Sequence, residues 1–253
     1  MDGTETRPRG FGLVANLAIL LLTLFAFVSV VKLAAGAGEL VLRLRAGAGQ
    51  PQALDAAGEV YRALSRLVVL QVLTFMACAP VVAAWVVQAV AGAGAIGAVG
   101  PRVPAPVAAA SFIVPLANLW VPYRAVAEAW RASRDPGRWR SLPVPPLVRG
   151  WWACWLAFLA SVLLGYAGSA ALAFVPFPEA VTSLAFADLL PLAADAFGAA
   201  AAVLLTLVVG DLSDHQDAWH EALRAGSRAA PAAAVARAAT PDHARQRRVR
   251  AAA

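Results

Sequence analysis

Along its hydrophobic and polar positions the chain alternates between long uncharged runs and short charged ones. Residues 10–31 carry no charge, and a helix of that length, rising about 1.5 Å per residue, reaches across a hydrocarbon core of about 30 Å. Runs of the same kind recur, and the pattern predicts spans at about 10–32, 67–91, 151–175 and 189–210. A secretory signal opens similarly, but its apolar region holds about 7–15 residues and ends at a small-residue cleavage site. Bulky residues fill 20–31 here, so a retained first span is expected. Between the first two spans, Leu54, Glu59, Tyr61, Arg62, Leu64 and Arg66 predict an amphipathic helix that lies along the surface and leads into the next span. Pro80 is expected to kink the second span.

Residues 103–123 are also uncharged but hold Pro104, Pro106, Pro115 and Pro122. Irregular backbone at membrane depth persists only where protein or a wet cavity satisfies its polar groups. The segment is therefore read as re-entrant, finding its backbone partners inside the bundle, or as a fifth, broken span. Arg124, Glu128 and Arg131 follow at helical steps, and then Arg134, Arg138 and Arg140. Trp151, Trp152 and Trp155 open the third span at the depth indoles prefer, and Gly165 and Gly168 offer it a thin face for helix contact. The fold expected is an all-α integral membrane helical bundle, with four spans plus a Pro-broken re-entrant segment at 103–133. A cytoplasmic N-terminus (1–9) precedes a single membrane-embedded domain (10–223), and a disordered Ala/Arg-rich tail (224–253) follows it.

Composition agrees with this class: of 253 residues 60% are hydrophobic and only 14% charged, where a soluble domain carries about 25%. The net charge of +6 sits beside the apolar runs, where basic residues orient spans, and no aromatic-basic motif for nucleic acid accompanies it. Four spans place sixteen basic residues on the side of both termini against five, so both termini are expected in the cytoplasm. Five spans give eighteen against three, with the N-terminus outside. Lys32 is the only lysine, a bias that weakens each arginine as a signal of phosphate recognition. Cys78 and Cys154 fall within predicted spans and read as small buried apolar residues.

The run Pro115, Asn118, Leu119, Trp120 and Pro122, with Glu128, Trp130, Arg131, Ser133 and the pair Trp151 and Trp152, resembles the bacterial membrane family called domain of unknown function 4328. Leu212, Ser213 and Gln216 match it near the C-terminus, whereas Trp85 lacks the basic residues and Asn that usually follow it, and Gly210 and Asp211 stand in place of paired arginines. The resemblance implies a multi-pass protein of the bacterial inner or plasma membrane and no assigned activity.

Asn118 lies between two prolines, where a broken helix frees backbone groups for an ion or solute. Its plainer role is to cap a helix beginning near Leu119. Asp195 is a candidate proton or cation site with Asn118 or Arg124 as partner; alternatively it is a solvated acid near a helix start. Arg124, Arg131, Arg134, Arg138 and Arg140 are candidates for contact with anionic lipid headgroups. Asp211, Asp214, His215, Asp217, His220 and Glu221 superficially resemble metal ligands but follow no defined ligand pattern, and a solvated juxtamembrane helix is expected there. Nucleophile, phosphate-loop and dinucleotide motifs are missing, and no cofactor is expected. The reading is a non-enzymatic membrane protein contacting lipid, a partner protein or a second copy of itself. A small-solute or ion transporter built on the broken helix is the alternative, and a membrane enzyme the third.

Overall fold

The computed structural model describes residues 11–98, 103–112, 114–172 and 179–224. The segment 1–9, the tail beyond 224 and Arg102 lie outside the described residues, as do Pro176 and Pro178. The described residues form seven α-helices: α1 (Phe11–Gly47), α2 (Gln52–Ala95), α3 (Ala105–Ala110), α4 (Pro115–Asn118), α5 (Val121–Arg134), α6 (Pro146–Leu172) and α7 (Glu179–Arg224). A 3-10 turn occupies Trp139–Ser141, and no strand forms among the described residues. Among the described residues four helices, α1, α2, α6 and α7, are long and apolar enough to cross a membrane. Leu20, Phe27, Leu73, Leu163 and Leu207 on them turn more than half their surface outward, as side chains solvated by lipid do.

The amphipathic helix expected over 54–66 forms, but not as a separate element between two shorter spans. Both helices continue instead: α1 runs 37 residues and α2 runs 44, about 55 and 66 Å at the α-helical rise. Their charges are absorbed at helical spacing, Arg43 on Glu39 and Arg62 on Glu59, so nothing forces the chain out of helix. The turn between them passes through Gly49 at φ +90°, a conformation in which glycine has no Cβ to clash. Helix α2 also runs on through Pro80.

The interrupted segment is short helices in series, because its prolines start helices rather than break one. Pro106, Pro115 and Pro122 each lie in the first turn of α3, α4 or α5, where the missing N–H costs nothing. Backbone bonds close locally rather than on the bundle: Asn118 N donates to Val114 O (2.8 Å), Leu119 N to Leu116 O (3.2 Å) and Trp120 N to Ala117 O (3.1 Å). No fifth crossing helix is formed here.

The chain divides into two compact units. The span unit comprises 16–82 and 145–208. Its core holds Ala18, Leu22 and Val28 and an aromatic cluster in which Phe75 stacks on Trp155 at 6.2 Å and Phe158 meets Phe25 edge-on at 6.4 Å. A Cβ at Gly198 would stand 3.1 Å from Phe158, so α7 comes close to that ring. Gly165 lies near Leu190, but nothing approaches Gly168 within 4 Å. Trp151 and Trp152 are buried against each other at 5.3 Å. Both are packing residues near the start of α6. Cys78 is buried and Cys154 half-buried, both as free thiols.

The α5 unit comprises the described parts of 1–15, 83–144 and 209–253. Helix α5 is its centre, with Ala125, Val126, Ala127, Ala129, Ala132 and Ser133 all buried. The final stretch expected as a solvated helix continues α7 with one face covered: Asp214 and Glu221 are exposed, whereas Leu212 is fully enclosed and Ser213, His215 and Gln216 are buried. Trp85 donates its indole N–H to Ser213 Oγ (3.4 Å), and Gln216 donates to Ala89 O (2.8 Å). The tail of α7 is thereby fastened to α2.

Candidate functional site

The motif residues divide by where they point. Leu116, Leu119 and Trp120 are exposed, whereas Pro122 is buried. Trp120 leans on Tyr123 at 6.4 Å. Asn118 does not cap the next helix: α5 begins after Trp120 with no side-chain cap, and Asn118 Oδ1 is buried without a hydrogen-bond partner. Helix α4 begins at Pro115. The motif is thus a short apolar projection closed by a buried proline.

One turn later the arginines separate into two sets. Arg124, Arg131 and Arg140 line a cavity of about 340 Å³ with Tyr123, Glu128 and Trp139. The Arg131 and Arg140 guanidiniums lie over the Trp139 ring at 5.4 and 5.3 Å, a contact in which ring electrons attract a cation. Arg131 also donates to Ala127 O (3.2 Å) and Leu142 O (3.5 Å), which fixes its stem. Glu128 is buried, accepts the Val103 N–H at 3.4 Å and lies 3.9 Å from Arg124. Three cations and one acid leave this cavity with a formal charge of +2.

The other two arginines are engaged elsewhere. Arg138 pairs with Asp135 at 3.0 Å. Arg134 donates to both oxygens of Asp211 (2.9 and 3.0 Å) while lying over the Trp130 ring at 4.6 Å. Trp130 donates its own N–H to Asp211 Oδ2 at 2.6 Å, and Trp219 donates to Ser133 O at 2.8 Å. Asp211 therefore ties α7 to α5. No group of three or more metal-type ligands gathers among the described residues.

Asp195 is neither at a helix start nor solvated. It lies sixteen residues into α7 with its side chain only 3% exposed. Lys32 Nζ approaches Asp195 Oδ1 at 2.9 Å, and Gln71 Nε2 donates to the same oxygen at 2.9 Å. Gln71 also donates to Ser29 Oγ (3.0 Å) and accepts from Lys32. The partners are thus Lys32 and Gln71 in place of the Asn118 or Arg124 anticipated. This network borders a second cavity, of about 450 Å³, between α1, α2 and α7.

The family model for Domain of unknown function (DUF4328) matches residues 45–214. The chain belongs to this family. No curated protein matches it, nor does any solved structure. The DUF4328 match takes in the projecting motif, the three-arginine cavity, Asp195 and Asp211, while Lys32 lies before it. Lys32 was missed as a site residue because a lone lysine beyond an apolar run reads as a loop charge. Its spacing with Glu39 and Arg43, along one helical face, is the signal that extends the helix past it.

Proposed function

We propose that this DUF4328 protein is a non-enzymatic, multi-pass protein of a bacterial cell membrane that engages anionic lipid headgroups through its α4–α5 segment. The supporting observation is the adjacency of an outward-facing apolar projection, Leu116, Leu119 and Trp120, to a cavity carrying a charge of +2. A bulky apolar projection lowers its free energy by entering acyl chains, and Trp favours the headgroup level. Arg124, one turn further on, Arg131, three turns on, and Arg140 beyond α5 then lie where phosphates are, each gaining about 1 kcal/mol beside an anionic leaflet. The Trp139 ring, over which Arg131 and Arg140 both lie, holds two guanidiniums ready to donate to phosphate oxygens. In this reading the segment enters the membrane from the side of both termini, which are cytoplasmic.

The test is lipid retention during purification in mild detergent, measured by mass spectrometry. Wild-type protein from vesicles of mixed phosphatidylglycerol and phosphatidylcholine is expected to keep the anionic lipid selectively. Replacing Arg124, Arg131 and Arg140 together by Gln removes that preference, and Arg138→Gln leaves it intact. Equal retention of both lipids by the wild-type protein contradicts the proposal.

A further inference from the structure

The cavity of the span unit lies apart from the headgroup reading and shares no residue with it. Its volume, about 450 Å³, falls within the range of about 300–1,000 Å³ that small-molecule sites occupy. Its charged wall is made by Lys32, Glu39 and Arg43 from one face of α1 and Asp195 from α7. Leu64 and Val68 contribute to an otherwise largely apolar lining. Two cations and two acids leave the wall formally neutral, and they are already arranged as two pairs, Lys32 with Asp195 and Arg43 with Glu39.

That charge inventory restricts what enters. An ion of single sign brings a net charge into a wall whose own charges already cancel, and an uncompensated charge in a desolvated site is strongly unfavourable. A molecule carrying both signs meets both halves of a pair and leaves no charge alone. Lys32 supplies the anchor, since an ammonium has three donors and its bonds to Gln71 and Asp195 use two of them. The acids Glu39 and Asp195, both buried, are acceptors for a cationic end. The side chains of Leu64 and Val68 accommodate an apolar body.

We propose that this cavity binds a zwitterion joined to an apolar body, with the anionic end on Lys32 and the ammonium between Asp195 and Glu39. A free apolar amino acid and the headgroup of an ethanolamine phospholipid share this chemistry. Calorimetric titration of the full chain in detergent distinguishes them, using L-leucine in one arm and dihexanoylphosphatidylethanolamine in the other, with hexanoate and hexylamine as single-charge probes. One zwitterion is expected to bind saturably and at least tenfold more tightly than either single-charge probe, and the arm that responds names the source. Leu64→Trp, which fills the cavity without touching a charge, is expected to weaken that binding at least tenfold. The paired change Lys32→Met with Asp195→Leu, which removes both charges together, does the same while the protein still purifies as a folded species. Heat from neither zwitterion, equal affinity for a single-charge probe, or binding unchanged by Leu64→Trp overturns the proposal.

Discussion

Asp195 and Asp211 lie on the same helix and are held by the same chemistry, yet their surroundings differ. Each meets a cation at 2.9 Å, Lys32 or Arg134, and each accepts from a neutral donor, Gln71 Nε2 at 2.9 Å or Trp130 Nε1 at 2.6 Å. Side-chain exposure is 3% for Asp195 but 31% for Asp211. Removing the cation from a buried pair strands a charge with no water to receive it, whereas a half-exposed acid recovers hydration. Breaking the first pair from one side is therefore the costlier change, although removing both partners together is tolerated. The second organises α5 against the end of α7 at lower stake.

Substitutions ranked by size sharpen this contrast. Lys32→Ala is expected to destabilise most, by about 3–5 kcal/mol, read as the shift of a denaturation midpoint in detergent. Adding Asp195→Leu to Lys32→Met restores most of the loss, and failure to do so contradicts an ion-pair origin. Gly92→Ala probes packing in the α5 unit: its Cβ would lie 2.4 Å from Oε1 of the buried Gln216, which is held by its bond to Ala89 O. Overpacking of this kind costs about 1–3 kcal/mol, and the same assay measures it. Arg134→Gln removes a partly exposed ion pair and a stacked cation, about 1 kcal/mol. A loss as large as that of Lys32→Ala would erase the distinction between the two acids. Arg138→Gln is expected to change stability by less than about 0.5 kcal/mol, since its guanidinium pairs with Asp135 alone and is largely exposed.

The four long apolar helices were legible because uncharged runs of that length have few other uses. The helix at 124–131 was legible from the spacing of Arg124, Glu128 and Arg131. The amphipathic start of α2 was legible at 54–66, but continuation of α1 past its apolar run was hidden because Glu39 with Arg43 settles charge inside the helix. The prolines misled differently: their effect depends on whether a helix starts or is under way, and Pro106, Pro115 and Pro122 all occupy starts. The partners of Asp195 and Asp211 come from far along the chain, Gln71 lying 124 positions from Asp195 and Arg134 lying 77 from Asp211. One sequence carries no mark of such pairs. The outward turn of Leu116, Leu119 and Trp120 was equally hidden, since an apolar motif reads the same facing core or lipid.

Four crossings with an interfacial α4–α5 segment is the claim on which the rest depends, and the side on which each terminus lies tests it most directly. Single cysteines placed at positions 5 and 245, in a chain whose Cys78 and Cys154 are replaced by Ala, are labelled with an impermeant maleimide in sealed right-side-out and inverted vesicles. Four crossings predict that both positions react only in inverted vesicles; reaction of one position in each orientation would contradict them.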